Sequence, residues 1–268
     1  MFAPPDGDMI AWVDDLPVAW MVVVIFAGVF LATAAIFFGV MACAVGDRAQ
    51  AFKAVSPGML PPMGLVFALI VGFLAAGLWG DVAQARLAVN REASALRSTV
   101  LVADAAFPGA PAARMNALVR RQIHAAAASE WPAMARQQAT LTVVPAPLAA
   151  ALSLALRLDA RSQGQRTAQR ELVTLLDTAL DSRRQRIIVS GSTVNWVKWT
   201  AVLALAALTL IAIAFVHSGN RRTAAIAMAL FASAVAVTLV MIVAQDRPFS
   251  GAFGVKPDVL LQVLPPAR

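Results

Sequence analysis

The chain has 268 residues, 60% of them hydrophobic and only 14% charged, with a mean hydropathy of +0.72. A soluble domain carries about 45–50% apolar and about 25% charged residues, so this composition excludes an ordinary soluble protein and points to the membrane. The formal net charge is +7, yet the basic residues are dispersed and no zinc-finger, RRM or homeodomain pattern occurs, so nucleic acid is not an expected partner.

In chain order, residues 1–17 form an N-terminal segment holding Asp6, Asp8, Asp14 and Asp15. A secretory leader opens with a basic region, so this start does not read as one, and the first apolar stretch is expected to be retained. That stretch, 18–44, is long enough to cross a ~30 Å hydrocarbon core as a helix. Cys43 lies in it and reads as a buried small hydrophobe. A loop with Arg48, Lys53, Pro57 and Gly58 leads to a second stretch at 59–79. Here Gly64, Ala68, Gly72, Ala76 and Gly80 recur at every fourth position. In lipid, small residues let backbones approach, so the stripe reads as a helix-packing seam; the alternative is the wall of a narrow pore.

No Gly or Pro follows Gly80 until Pro108, which predicts that the second span leaves the membrane as one rod. About 40 helical residues would reach about 60 Å. Leu87, Leu96 and Val100 fall on related faces of that rod, and Arg86, Arg91 and Arg97 stand near the membrane. Within the insert, "SEWPAM" reads as a helix start, with Ser129 capping, Glu130 in the first turn and Pro132 tolerated there. Pro145 and Pro147 mark a further break. Leu172, Leu175, Leu176 and Leu180 make an amphipathic stripe that runs into Arg183, Arg184 and Arg186, with Gly191 interrupting the helix. A third apolar stretch at 199–216 and a fourth at 223–244 follow, and "QDRPFSGAFGV" then leaves the membrane through Asp246, Pro248, Phe249 and Gly251.

The expected architecture is an all-α integral membrane protein with four transmembrane helices and a helical extramembrane insert between the second and third. The boundaries are 1–17 (N-terminal segment), 18–80 (spans one and two), 81–197 (insert), 198–245 (spans three and four) and 246–268 (tail). More Arg and Lys lie near the membrane on the insert side than on the other, which places the insert in the cytoplasm; the acidic start argues the other way.

Chemistry is sparse. His124 and His217 stand far apart, no catalytic motif occurs, and no ligand cluster of metal-binding spacing is present, so neither an enzyme nor a cofactor is expected. The four spans carry no Asp, Glu, Lys, Arg or His, which disfavours ion-coupled transport. The Arg groups Arg86, Arg91, Arg97 and Arg183, Arg184, Arg186 read as membrane anchors that contact anionic headgroups, or as rings that favour anions at a pore mouth.

Four short motifs carry a resemblance. "NREASAL" (with Glu92), "EWPAM" (with Trp131 and Pro132), "SRRQRI" and "DRPFSG" (with Asp246, Pro248, Phe249 and Gly251) occur in this order around the spans. In this the chain resembles the bestrophin-like membrane proteins of bacteria, a group largely of unknown function. It departs from that pattern in having "SGSTVNW" where a proline is expected before the third span. The resemblance implies a location in the bacterial plasma membrane and a homo-oligomer, since bestrophins proper are oligomeric anion channels with four spans per subunit. Expected partners are therefore the bilayer, further copies of the chain, and small anions. The leading expectation is a passive anion-preferring channel with the second span lining its axis. The alternative is a non-conducting scaffold or sensor whose insert binds a partner or lipid headgroups.

Overall fold

The computed structural model describes residues 17–45, 50–52, 55–251 and 253–266. Asp6, Asp8, Asp14, Asp15, Arg48 and Lys53, which entered the reading of membrane orientation, lie outside the described residues. Among those described there is no β-strand. The helices are α1 (Val18–Cys43), α2 (Leu60–Ala106), α3 (Ala110–Ala125), α4 (Trp131–Ala135), α5 (Ala146–Leu156), α6 (Gln163–Ser190), α7 (Trp196–Val216), α8 (Arg221–Val243) and α9 (Asp258–Gln262). Four of them, α1, α2, α7 and α8, are long and apolar enough to cross a membrane.

The chain divides into two units. The first holds the described residues up to Trp79 together with Thr193–Asp246; the second holds Gly80–Ser192 and the tail from Arg247. The tail thus groups with the insert.

In the first unit α1 packs on α7 and α8, which also pack on each other. Phe67, Leu74 and Leu78 of α2 join Val202 and Ala206 of α7 and Val235, Leu239 and Ile242 of α8 in one apolar cluster. Leu210, Ile213, Ala214 and Met228 form another. Thr33 and Thr209 sit buried among apolar residues because each hydroxyl donates to the carbonyl four residues back. Asn side chains start both later spans. Asn195 Oδ1 accepts from Val197 N at 3.0 Å, and Asn220 Oδ1 accepts from Arg222 N at 3.0 Å. The cap by Asn195 starts α7. The carboxylate of Asp246 accepts from Val194 N at 2.7 Å. Cys43 is exposed at the end of α1, which corrects the expectation of a buried thiol.

Helix α2 is one rod of 47 residues, about 70 Å long. That is more than twice a ~30 Å hydrocarbon core, so much of it stands outside the bilayer. Pro61 and Pro62 fall in its first turn, where no backbone donor is needed. Its continuation lines the second unit through Ala85, Val89, Ala93, Leu96 and Ala103. Of the three residues expected on related faces, Leu96 is fully buried and Val100 packs beside it, whereas Leu87 is 47% exposed.

The second unit packs α3, α5, α6 and α9 around that face, with Met115, Ile123, Leu148, Leu172, Leu176 and Leu260 at its centre. A reciprocal cap starts α6: Gln165 N donates to Ser162 Oγ while the Gln165 side chain accepts from Ser162 N. Pro147 sits in the first turn of α5, and Gly191 caps the end of α6.

Candidate functional site

Residue 129 does not begin a helix. Helix α3 runs on through a π turn, Ala126–Glu130, into α4, and Trp131 N donates to Ala126 O, five residues back. Ser129 Oγ donates to Ala125 O at 2.6 Å and caps nothing. This corrects the expected break, and the physical reason is Pro132. A proline inside a helix clashes with the carbonyl four residues earlier, and the wider π turn relieves that clash without ending the helix. The extra residue also shifts register. Buried positions Val119, Ile123 and Ala126 are followed by Trp131 and Met134, a step of five where three or four is regular. Without the inserted residue, Glu130 and Trp131 would rotate away from the core.

The rotation completes a buried charge network. Arg186 of α6 grips Glu92 of α2 through Nε–Oε2 at 2.8 Å and Nη2–Oε1 at 3.2 Å, and its Nη2 also reaches Glu130 Oε2 at 2.8 Å. Arg183 Nε donates to the other Glu130 oxygen at 2.8 Å, and its Nη2 donates to the Val143 carbonyl at 3.4 Å. Arg186 Nη1 points at Met134 Sδ at 3.4 Å. The guanidinium stands 4.6 Å from the centre of the Trp131 ring, within cation–π range. Trp131 in turn meets Phe249 edge-on at 5.8 Å and donates from Nε1 to the Val255 carbonyl at 2.8 Å. Every one of the four quoted motifs therefore supplies a side chain to one cluster.

The network is neutral by count, two guanidinium groups against two carboxylates. Burial pushes the Glu92 carboxyl up, with Arg186 opposing the rise, in the part of α2 that lies beyond its apolar stretch. Burial also acts to lower Arg186, but Glu92 and Glu130 outweigh it and hold the guanidinium above its ordinary value. An Arg keeps its charge in a protein, so its buried charge requires these partners.

These placements change how the sequence candidates read. Arg183 and Arg186 are 5% and 0% exposed, so their charges are used inside the second unit and are not presented to headgroups or anions. This corrects their grouping with the membrane-facing Arg residues. Arg184 is exposed and pairs with Asp181 at 2.6 Å. Arg86, Arg91 and Arg97 are exposed on α2. Glu92, Trp131 and Phe249 are brought together; Pro132 makes the turn they depend on; Pro248 is buried and Gly251 adopts φ +69°, so both shape the tail backbone. Asp246 stays with the first unit.

The small-residue stripe is not buried by its own chain. Ala68, Gly72 and Ala76 are exposed, Gly64 and Gly80 are half-buried, and nothing lies within 4 Å of where a Cβ would stand at any of the three glycines. A helix turns by about 100° per residue, so a four-residue repeat drifts by about 40° at each step. The stripe therefore spirals, and only its middle three members share the outward face.

Comparison with known proteins places this fold. A family model described as the bestrophin-like domain matches residues 17–260. The chain belongs to the bestrophin-like family. Solved structures agree with that assignment at the level of the fold. One mutant form of a bacterial bestrophin homologue from Klebsiella pneumoniae superposes with a TM-score of 0.70 at 12% identity, over 90% of this chain and 95% of that one. A second mutant form of the same homologue gives 0.67 at 12% identity, over 90% and 96%. The form phased by Zn-SAD gives 0.66 at 12% identity, over 90% and 95%. No curated protein sequence matches the chain. This bestrophin-like chain is thus an all-helical integral membrane protein, as its composition requires.

The sequence reading missed the part played by Met134, the carbonyls of Val143 and Val255, and the π turn. Only one of these left a trace in the sequence: a proline in the middle of an otherwise helical pattern, without a following Gly or Asn, is a sign that the turn before it has widened.

Proposed function

We propose that the protein is a passive, anion-preferring channel formed by several copies of the chain, with α2 facing the shared axis. One observation carries the reading. On the apolar part of α2 Phe67, Leu74 and Leu78 turn toward the chain's own spans, while Ala68, Gly72 and Ala76 turn away from them, among the exposed Leu65, Leu69 and Phe73. A helix adrift in lipid has no need of small residues on its outer face, since lipid tails solvate Leu and Phe well. Small residues there leave room for another backbone or for water. Arg86 and Arg97, exposed on the continuation of α2, would raise the anion concentration near such an axis.

The family supports a channel-like fold, and the uncharged spans suit passive conduction better than coupled transport. The natural setting is the bacterial plasma membrane, with the second unit on the cytoplasmic side. The deciding experiment is flux in reconstituted liposomes. Chloride efflux above that of empty vesicles, with chloride favoured over potassium in the reversal potential, is the expected result. Absence of flux across a range of pH and voltage, from a preparation that is folded and oligomeric, removes the channel reading. The stripe is then a seam between subunits of a scaffold.

A further inference from the structure

The second unit contains a cleft of about 400 Å³ beside the charge network. Its lining includes the polar Gln122, Glu130 and Arg183 and the apolar Val143, Val144 and Ile187. Gln122 is only 1% exposed, and neither its Nε2 nor its Oε1 has a hydrogen-bond partner. Buried amides are nearly always paired, because an unpaired buried polar group has given up its hydration for nothing in return. At the same time Val143 and Val144 are 65% and 68% exposed, so the lip of the cleft presents apolar surface. The chain reaches this lip through Gln137, which holds φ +57°, a left-handed conformation unusual for a side chain of its kind.

We propose that the cleft binds a small neutral molecule carrying a carboxamide or lactam group on a compact apolar body. Three features select that chemistry. The volume falls in the range of about 300–1,000 Å³ typical of small-molecule sites and far exceeds the ~30 Å³ of one water. The Gln122 side chain offers a donor and an acceptor together, and the group that matches both at once is another amide. Charge is excluded by the neighbours. Both oxygens of Glu130 are taken, by Arg183 and by Arg186, and the two Arg and two Glu side chains balance, so an ionic ligand would add an unpaired charge beside the buried network. Arg183 Nη1 makes no hydrogen bond to any described residue and can donate to a ligand carbonyl. Water alone would meet the needs of Gln122 but would leave the valine lip wet.

The proposal does not depend on conduction and is tested by binding to the full chain in detergent. The probes are isobutyramide and its isosteric anion isobutyrate, followed by saturation-transfer NMR and by the unfolding midpoint. Saturable binding of isobutyramide, at least tenfold tighter than of isobutyrate, is expected. Gln122→Leu should weaken amide binding at least tenfold without lowering the midpoint, because it removes both unpaired atoms and keeps the volume. Should that variant fail to fold, Val144→Trp on the exposed lip should block binding and leave the fold intact. No saturable binding of the amide to the wild-type chain, as when water or a second copy of the chain fills the cleft, overturns the proposal. Equal or tighter binding of isobutyrate overturns it too, as does undiminished amide binding in Gln122→Leu or in a folded Val144→Trp.

Discussion

Arg186 and Glu92 meet as a fork on a fork, at 2.8 and 3.2 Å, with no exposed surface on either side chain. They lie 94 positions apart in sequence and tie α6 to α2. Losing one member of such a pair strands the other as a bare buried charge, at about 3–5 kcal/mol. Arg186→Leu and Glu92→Leu should each lower the unfolding midpoint of the full chain sharply. The double variant should unfold later than either single one, because two apolar side chains leave no stranded charge on α2 or α6. If the singles unfold like the wild type, the network does not hold the second unit together.

Trp131 connects the network to the tail. Trp131→Phe keeps an aromatic face over Arg186 but removes the 2.8 Å bond from Nε1 to the Val255 carbonyl. A neutral hydrogen bond contributes about 1 kcal/mol. Limited proteolysis should therefore cut the tail after Phe249 several-fold faster in the variant, with the rest of the chain unaffected. Equal cutting rates would show that Phe249 and Leu260 alone seat the tail.

The tail turn itself depends on glycine. At Gly254 an added Cβ would collide with the backbone of Ser250, and Gly251 holds φ +69°. Gly254→Ala should cost about 1–3 kcal/mol, as an overpacked site does, and Gly251→Ala about 1–2 kcal/mol from its left-handed backbone. Gly72→Ala has open space around it and should change the unfolding midpoint of the monomeric chain little. Thermal unfolding of the three variants side by side checks the order.

On the channel reading, Gly72→Leu should abolish chloride flux while the oligomer persists on size-exclusion chromatography. On the seam reading the same variant should dissociate the oligomer. Charge reversal of Arg86 and Arg97 together should lower anion flux several-fold, most clearly at low salt, where screening is weakest. Reversal of Arg184 is the control: it is exposed and already paired with Asp181, and such pairs contribute at most about 1 kcal/mol. Flux that falls equally in both variants would separate the Arg86–Arg97 face from any role at the axis.

What was legible in the sequence was whatever is encoded locally. Bilayer thickness demands long uncharged helices, so composition and run length were enough to place four spans within a few residues of α1, α2, α7 and α8. The absence of Gly and Pro after Gly80 was enough to foresee the long rod of α2, and the four quoted motifs each hold a residue of the buried cluster. Tertiary structure decided what those residues do. Arg183 and Arg186 read as surface cations because a sequence shows neither Glu92 nor Glu130 beside them. Their partners come from other helices, 94 and 53 positions away. Ser129 read as a cap because the relief of Pro132 by a wider turn is a matter of backbone geometry, not of residue type. The direction of the small-residue stripe was likewise hidden: a four-residue repeat spirals, and only the packing of Phe67, Leu74 and Leu78 against the other spans fixes which side of α2 is left facing outward.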